Sequence, residues 1–557
     1  MIEAHISDCR FSRHVGVPMR DGVSLATSVY QPLREGMYPV ALVRTAYNRL
    51  GLFDRFFPEH GMILVVQDVR GRYDSEGEYY PFTHEAADGR DTLEWIHSQP
   101  WCDGKVGMFG DSYLAATQFA AAMDSAEMLH VLNPGFMAGD CWKRAYYCDG
   151  AFSLALTWSW LCFECSSQTS DAPWMPYFDV ESVLRTLPIT DLDLASGISE
   201  VPSYRDYVSR SEYDEEWEAL NIRKRADRFT MPVFLIGGWY DNYAAETFRN
   251  FISIRENAPT PLIRDSHRML IGPWSHGISG TSILGELDFG AVATSENDAT
   301  NRWLDCMLHG GDASDFQQAP IRIFVMGANV WRDLYEWPPK ETRYVNYYLH
   351  FEGSLTTDAP GKEPVDTYTY DPADPAPTRG GNHSIGPYNP GLYELVQPGP
   401  MDQRSVEQRD DILVYTSDPL DRDIEVTGSV LTKLFAATSA CDTDFVARLT
   451  DVYPDGRSIC ITEGVIRARW RESVWDAPKL IEPNAVYEYA IDLQVTSNVF
   501  RKGHRIRLAI TSSNFPLWDR NLNTGGNPAT ETEMVIAKQK ICHDADHPSH
   551  IILPIID

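Results

Sequence analysis

Five strand-length apolar runs constrain the fold of this chain more than any other feature. They are YPVALVRTAY (38–47), MILVVQDVRG (62–71), KVGMFGDS (105–112), MPVFLIGGWYD (231–241) and HRMLIGPWSH (267–276). Continuous apolar runs of this length are typical of strands buried on both faces of a parallel sheet. Amphipathic segments such as GRDTLEWIHSQ, which have the spacing of a helix, separate the early runs. Strands that alternate with helices predict a parallel α/β fold.

Two changes of pattern divide the 557 residues further. Residues 140–226 are rich in Trp, Tyr and Leu at helical spacing, which predicts a helical cap inserted into the α/β domain. From about residue 350 the chain has short β-branched runs between loops rich in Pro, Asp and Gly, a pattern typical of an antiparallel sandwich or jelly roll. We therefore predict an α/β core in two parts (1–140 and 229–348), a helical cap (141–228) and a C-terminal β domain (349–557).

The net charge and the absence of visible targeting segments limit the partners and the cellular location expected for this protein. The net charge of −31 and the pI near 4.8 disfavour binding to nucleic acid or to anionic membranes. No signal peptide or membrane-spanning run is visible, and the ten cysteines are scattered, which favours a reduced cytoplasmic location. The sequence leaves the oligomeric state open, a homo-oligomer included.

Ser112 is the candidate nucleophile. It follows the apolar run VGMFGD and precedes a helix-like segment of small residues, LAATQFAAA. A sharp strand-to-helix turn of this kind presents a serine hydroxyl at the carboxyl edge of the sheet. Leu114 occupies the second glycine position of the usual G-x-S-x-G pattern, so the motif alone also fits an ordinary turn serine.

Two further residues complete a candidate triad. Asp241 ends the run VFLIGGWY, and His276 follows LIGPWS at the end of the next predicted strand. A serine nucleophile needs a base, and the base needs a carboxylate that orients it. The chain order Ser, Asp, His is that of α/β hydrolases. The order and the three strand-end positions together favour a catalytic role for Ser112, Asp241 and His276.

The oxyanion of an acyl-transfer reaction needs fixed hydrogen-bond donors. The backbone N–H of Tyr113, directly after the candidate nucleophile, is one candidate donor. Tyr47 lies in the loop after an early predicted strand, where its phenol could donate; by pattern alone it fits a core aromatic equally well.

The chain resembles the CocE/NonD family of acyl hydrolases, and more distantly X-prolyl dipeptidyl peptidases and α-amino-acid ester hydrolases. The resemblance covers nearly the whole chain and includes VPMRDGVSLA, LVRTAY, VVQDVRGRYDSEGEY, QPWCDGKVGMFGDSYL, GGWYDNY, IGPWSHG and TSNVFRKGHRIRLAITSSNFP. It implies an α/β-hydrolase core, a helical cap and a C-terminal jelly roll. It also implies Ser112 as nucleophile, Asp241 and His276 as its partners, and an oxyanion hole made by Tyr47 and the Tyr113 N–H. No metal or organic cofactor is implied.

The resemblance also suggests a substrate pocket. Tyr146, Trp160 and Tyr243 fall where the family places aromatic residues around the acyl group. Tyr146 stands where the most similar members have tryptophan, and Asn242 and Tyr243 also differ from them. We therefore expect a small-molecule ester with an aromatic or bulky acyl group, while the acyl preference itself stays open.

Three clusters have simpler interpretations than a metal or acid–base site. The thiols of Cys141, Cys148, Cys162 and Cys165 are loosely spaced, and structural thiols are favoured over zinc ligands. A fold-stabilising role is likewise favoured for a C-terminal group made of Cys542, His543, Asp546, His547 and His550. Helix N-terminal charge and solvent exposure account for a carboxylate group made of Glu76, Glu85, Asp88 and Asp91.

Two other functions stay open at the level of sequence. An amide-cleaving relative that binds a free amino group would need a carboxylate in the pocket. None is identifiable beside the predicted triad, although Asp140, Asp149 or Glu164 of the cap would serve if it reached the cavity. A non-catalytic carbohydrate-binding protein with a relict hydrolase core is the other alternative, which the intact Ser–Asp–His set disfavours.

Overall fold

The sheet of the N-terminal domain is parallel at its centre and antiparallel at its edges. The computed structural model describes residues 3–6, 9–166, 168–170, 179–386 and 390–557. In chain order the strands of residues 3–334 are β1 (Glu3–Ile6), β2 (Cys9–Pro18), β3 (Ser24–Pro32), β4 (Tyr38–Thr45), β5 (Ile63–Asp68), β6 (Cys102–Asp111), β7 (Val131–Gly135), β8 (Tyr147–Cys148), β9 (Ala151–Phe152), β10 (Phe234–Gly238), β11 (Arg268–Gly272), β12 (Ile283–Leu284), β13 (Leu287–Asp288), β14 (Ile321–Val325) and β15 (Val330–Leu334).

The five apolar runs of the sequence form the centre of this sheet. The spatial order is β1-β2-β3-β5-β4-β6-β7-β10-β11-β14-β15, and every neighbouring pair from β5 to β14 is parallel. Leu42, Val65, Met108, Leu235 and Ile271 are buried on these strands. The α/β fold is confirmed, and β6, β10 and β11 end at the same edge of the sheet.

Helices cover the sheet and form the cap. Among the described residues up to 334 the α-helices are α1 (Phe56–Glu59), α2 (Glu85–His97), α3 (Tyr113–Ser125), α4 (Leu154–Ser159), α5 (Val180–Leu184), α6 (Leu192–Ala195), α7 (Pro202–Ser209), α8 (Glu215–Ala219), α9 (Ala244–Glu256), α10 (Pro261–Ser266), α11 (Ala299–Leu308) and α12 (Ala313–Phe316). Five of them, α4 to α8, belong to the predicted cap. The cap also has a short hairpin, β8–β9, where the sequence predicted no strand; two-residue strands are too short to leave an alternating pattern.

The C-terminal domain is built from strands of three to fifteen residues that pair mostly antiparallel. They are β16 (Arg343–His350), β17 (Ser354–Thr356), β18 (Asp366–Tyr370), β19 (Leu413–Thr416), β20 (Ile424–Thr438), β21 (Asp444–Val452), β22 (Ser458–Arg467), β23 (Tyr487–Phe500), β24 (Arg505–Thr511), β25 (Ala537–Cys542) and β26 (His550–Ile556), with two short helices, α13 (Pro390–Leu395) and α14 (Arg404–Glu407). The strands follow the order β18-β25-β20-β26-β16-β17-β19-β24-β21-β22, and β23 pairs with β20. Leu434, Leu449, Ile491 and Leu508 are buried in their shared core. The predicted β domain is confirmed; the residue boundaries of the three domains stay a prediction.

The prediction of helix N-terminal charge is confirmed for Glu85 and Asp88, which lie in the first turn of α2. The prediction of solvent exposure was wrong, because Glu85, Asp88 and Asp91 are buried. Asp88 is bound by Arg70 at 2.7 Å, and Asp91 by Arg20 at 2.7 Å. Glu85 lies 2.8 Å from the buried Arg44 guanidinium and accepts a hydrogen bond from the Tyr113 hydroxyl. Glu76 alone is exposed. A buried charge requires a partner, and arginines from other strands and loops supply it here.

The cysteine and histidine clusters carry no metal-like arrangement. All ten cysteines lie in described segments and none forms a disulfide; burial raises the pKa of Cys148 to about 11 and of Cys165 to about 12. In the C-terminal group, His543 donates to Asp366. Within the described segments, no group of three or more His, Cys, Asp or Glu side chains has an arrangement that could hold a metal ion. No helix in those segments is long and apolar enough to cross a membrane.

Candidate active site

Ser112 lies at a strained turn between β6 and α3. Its φ and ψ are 59° and −124°, a conformation that side-chain-bearing residues rarely adopt. Its N–H donates to the Gly135 carbonyl at 2.9 Å, and its own carbonyl accepts from Ala115 at 2.9 Å. These bonds hold the turn and place the hydroxyl at the carboxyl edge of the sheet. Gly110 has a φ of 125°, and a Cβ at this position would lie 2.7 Å from the Leu114 side chain. Because glycine at 110 has no Cβ, the leucine that replaces the usual second glycine has room for its side chain.

His276 and Asp241 lie on the loops that follow the neighbouring strands β11 and β10. His276 Nδ1 is 3.3 Å from Asp241 Oδ1. Both side chains are nearly inaccessible to solvent, at 8% and 0% exposure, so the carboxylate is not screened and can orient the imidazole. The Tyr243 ring packs edge-on against the imidazole with 5.5 Å between ring centroids. With Nδ1 facing Asp241, Nε2 of His276 can accept a proton from another group.

The Tyr47 hydroxyl accepts a hydrogen bond from Trp160 Nε1 at 3.1 Å. A phenol that accepts one hydrogen bond keeps its own proton for another acceptor. Burial raises the pKa of Tyr47 well above 10, against the opposing effect of its hydrogen bond with Ser112. Tyr47 is therefore a protonated donor beside the Ser112 side chain rather than only a core aromatic.

Tyr113 uses its phenol for structure. The hydroxyl donates to Glu85 Oε1 at 2.7 Å and accepts from the Phe82 N–H at 3.2 Å. The backbone N–H of Tyr113 is the first of α3, and the first N–H groups of a helix have no acceptor within the helix. That N–H is thus available to an oxyanion next to Ser112.

These residues surround one cavity of about 450 Å³ between the sheet edge and the cap. A cavity of this size suits a small organic molecule. Its described lining is Tyr47, Tyr73, Phe82, Asp111, Ser112, Tyr113, Met137, Ala145, Tyr146, Leu156, Thr157, Trp160, Glu164, Ser170, Tyr243, His276 and Gly277. The three predicted pocket residues, Tyr146, Trp160 and Tyr243, all belong to it.

Trp142, Tyr147 and Trp158, three further aromatic residues of the cap, are not part of the described lining. Trp142 stacks on Tyr147 and also contacts Trp470 and Trp475 of the C-terminal domain, while Trp158 packs edge-on against Phe163. The apolar spacing of these residues therefore reflects packing contacts rather than contact with the cavity. Tyr146 is held in the cavity wall by a stacked contact with Tyr207, at 4.4 Å between ring centroids.

Of the three cap acids, one reaches the cavity. Glu164 lines it. Asp140 caps the backbone N–H of Lys143 and accepts from Asn221, while Asp149 pairs with Arg144 at 3.2 Å.

Two contributions to the site were missed from sequence. Asp111, directly before Ser112, lines the cavity. Ser384, from a loop of the C-terminal domain, donates to Asp241 Oδ1 at 3.2 Å and also hydrogen-bonds Asn242. Nearby, Asn382 donates to the Trp239 carbonyl. A loop of the C-terminal domain thus also supports the acid of the candidate triad.

Comparison with known proteins gives the family. Two family models match the chain in succession: X-Pro dipeptidyl-peptidase (S15 family) over residues 21–278, and the X-Pro dipeptidyl-peptidase C-terminal non-catalytic domain over residues 314–552. The chain is 38% identical to cocaine esterase of Rhodococcus sp. (strain MB1 Bresler), with 98% of each chain covered. The chain belongs to the CocE/NonD family of serine hydrolases. It is a serine ester hydrolase.

Solved structures related to this CocE/NonD protein extend over its full length. An aminopeptidase from a marine sediment Thaumarchaeota archaeon is 26% identical, with a TM-score of 0.86 and coverage of 99% of this chain and 97% of its own. An α-amino acid ester hydrolase is also 26% identical, with a TM-score of 0.85 and coverage of 99% and 98%. The arrangement of core, cap and β domain is therefore that of the family.

Proposed function

We propose that this protein hydrolyses carboxylic esters with an aromatic or bulky acyl group through an acyl-enzyme on Ser112. The observation that carries the proposal is that Ser112, His276 and the Tyr47 phenol line one cavity, with Asp241 3.3 Å behind the imidazole. His276 Nε2 takes the Ser112 proton as Oγ attacks the substrate carbonyl, and Asp241 stabilises the imidazolium that forms. The Tyr47 hydroxyl and the Tyr113 N–H stabilise the tetrahedral oxyanion.

The acyl-enzyme is then released by the reverse sequence. The alcohol leaves with the proton that His276 held, water enters, and His276 activates it for attack on the acyl carbonyl. Every step uses groups of the chain itself. The partner we propose is a small ester, and ten cysteines without a disulfide among them favour a cytoplasmic location.

The acyl preference is proposed from the composition of the cavity. Tyr73, Phe82, Tyr146, Trp160 and Tyr243 contribute rings to its lining. Ring-on-ring contact adds about 0.5–1.5 kcal/mol per pair beyond the burial of area. An aromatic acyl group gains most from such a wall.

An amide-cleaving activity is a second candidate, since Glu164 and Asp111 line the cavity and the related aminopeptidase shares the architecture. Both candidates predict a reaction at Ser112, but they differ in the leaving group. Amides have the poorer leaving group. Among the described residues of the lining, the acids that could protonate it in addition to His276 are the carboxylates of Asp111 and Glu164.

Comparison of kcat/KM for phenyl benzoate and glycyl-proline p-nitroanilide separates the two. We expect faster turnover of phenyl benzoate, because it combines an activated leaving group with an acyl ring that contacts the aromatic wall. Faster turnover of the anilide would overturn the esterase proposal and favour the peptidase.

A further inference from the structure

Three consecutive residues of a loop in the C-terminal domain contact the segment that follows β10. The contacts are a bond from the Asn382 amide to the Trp239 carbonyl, a bond from the His383 N–H to the Tyr240 carbonyl at 3.2 Å, and a bond from the Ser384 hydroxyl to Asp241 Oδ1 at 3.2 Å. Reciprocal backbone bonds between Gly381 and Gly399, at 2.9 and 3.0 Å, hold the start of the loop. The loop therefore follows this segment residue by residue and reaches the triad acid.

The orientation of the Asp241 carboxylate depends on one of its oxygens. Oδ1 lies 3.3 Å from His276 Nδ1 and 3.2 Å from the Ser384 hydroxyl. Among the described residues, no group donates a hydrogen bond to Oδ2. The last torsion of an aspartate side chain has broad preferences and restrains the carboxylate little. The two contacts at Oδ1 therefore determine whether the carboxylate faces the imidazole.

We propose that Ser384 is a positioning residue of the triad, whose hydroxyl holds Asp241 in the orientation that faces His276. This inference rests on the proposed acyl transfer at Ser112. The aspartate fixes the imidazole tautomer in which Nδ1 carries the proton and Nε2 is the base. A domain outside the hydrolase core then contributes a group on which the rate of the reaction depends.

Asn242 competes with the triad acid for the same hydroxyl. Ser384 also hydrogen-bonds Asn242 Oδ1, and the Asn242 amide nitrogen donates to the Arg144 carbonyl at 3.1 Å, which keeps the amide oxygen towards Ser384. A serine hydroxyl has a single proton to donate, and an ionised carboxylate is the stronger acceptor. Loss of the Asn242 amide would leave that proton to Asp241, so the two substitutions have different expected effects.

The surroundings of Ser384 permit conservative substitutions. The side chain is buried and lines a small cavity of about 20 Å³, to which Ser153 and Leu156 of the cap also contribute. Threonine keeps the hydroxyl, and its added methyl group has this space beside it. Cysteine keeps the shape of serine with a weaker donor. Ser153, directly before α4, provides a matched control in the same cavity.

The measurements are kcat and KM with phenyl benzoate and the rate at which a fluorophosphonate labels Ser112. Ser384→Ala should lower kcat about 10- to 100-fold, as expected for a hydrogen bond to a charged group, with a smaller change in KM. The labelling rate should fall by a similar factor, because it depends on the same activated nucleophile. Ser384→Thr should recover most of the loss, and Ser384→Cys should lie between the two. Ser153→Ala should keep the wild-type kcat, and Asn242→Ala should lower it less than Ser384→Ala.

A double-mutant comparison separates positioning from a general loss of stability. If Ser384 acts through the Asp241 carboxylate, its substitution has little left to disturb once that carboxylate is gone. In an Asp241→Asn background, Ser384→Ala should therefore change kcat and the labelling rate by less than about twofold. A purely structural role would give the same loss in both backgrounds.

Three results would overturn the inference. They are an unchanged kcat in Ser384→Ala, an equal loss with and without the Asp241 carboxylate, and a loss in Asn242→Ala as large as that in Ser384→Ala, which would assign the hydroxyl to Asn242. The proposed function fails separately, if the wild type does not hydrolyse phenyl benzoate or if Asp241→Asn alone leaves kcat unchanged.

Discussion

Replacing Ser112 with alanine is expected to lower kcat for ester hydrolysis by about 10⁴–10⁶-fold. The hydroxyl forms the covalent bond to the acyl group, and no other hydroxyl of the described cavity lining lies at a strand-to-helix turn with His276 beside it. The residual rate would come from the oxyanion donors and from substrate binding alone. The measurement is kcat with phenyl benzoate, with circular dichroism to establish that the variant is folded.

Ser98→Ala is the control for this substitution. Ser98 is exposed at the end of α2, where its hydroxyl donates to the Trp95 carbonyl at 2.7 Å. It should keep wild-type activity. If Ser112→Ala kept more than about a tenth of the wild-type rate, Ser112 would not be the nucleophile.

Tyr47→Phe is expected to lower kcat by about 10²–10³-fold with a much smaller change in KM. The phenol accepts from Trp160 and is kept protonated by burial, so its proton is directed to the site beside Ser112. Negative charge develops on the carbonyl oxygen only as the tetrahedral intermediate forms. The lost hydrogen bond therefore affects the transition state more than the bound ester.

The matched control is Tyr73→Phe, which removes a phenol from the same cavity but not one that hydrogen-bonds Ser112. It should lower kcat far less. An effect of Tyr47→Phe that is confined to KM, or one that equals the effect of Tyr73→Phe, would assign Tyr47 to the pocket wall and leave the oxyanion to other donors.

The parts of the site that could be predicted from sequence are those fixed by strand ends. Ser112, Asp241 and His276 each follow a buried apolar run, and parallel strands bring their carboxyl ends to one edge. Local pattern was therefore enough to place all three side chains near one another. The cavity positions of Tyr146, Trp160 and Tyr243 came from the family resemblance, since nothing in their own spacing separates them from Trp142 or Trp158.

The parts that could not be predicted depend on contacts between distant segments. Ser384 is 143 residues from Asp241, and no local pattern connects a serine in a loop to a triad. The spacing of Glu85 and Asp88 indicated a helix start, but their burial depends on Arg44 and Arg70 from other elements. Asp111 was visible in the motif, while its openness to the cavity depends on the glycine at position 135 of the neighbouring strand.

The most direct test of the account is covalent labelling of the wild-type protein with a fluorophosphonate, followed by peptide mapping. The account predicts one adduct per chain, on Ser112, with loss of esterase activity in proportion to labelling and no adduct in Ser112→Ala. Absence of labelling in a protein that hydrolyses phenyl benzoate, or an adduct on another residue, would contradict it.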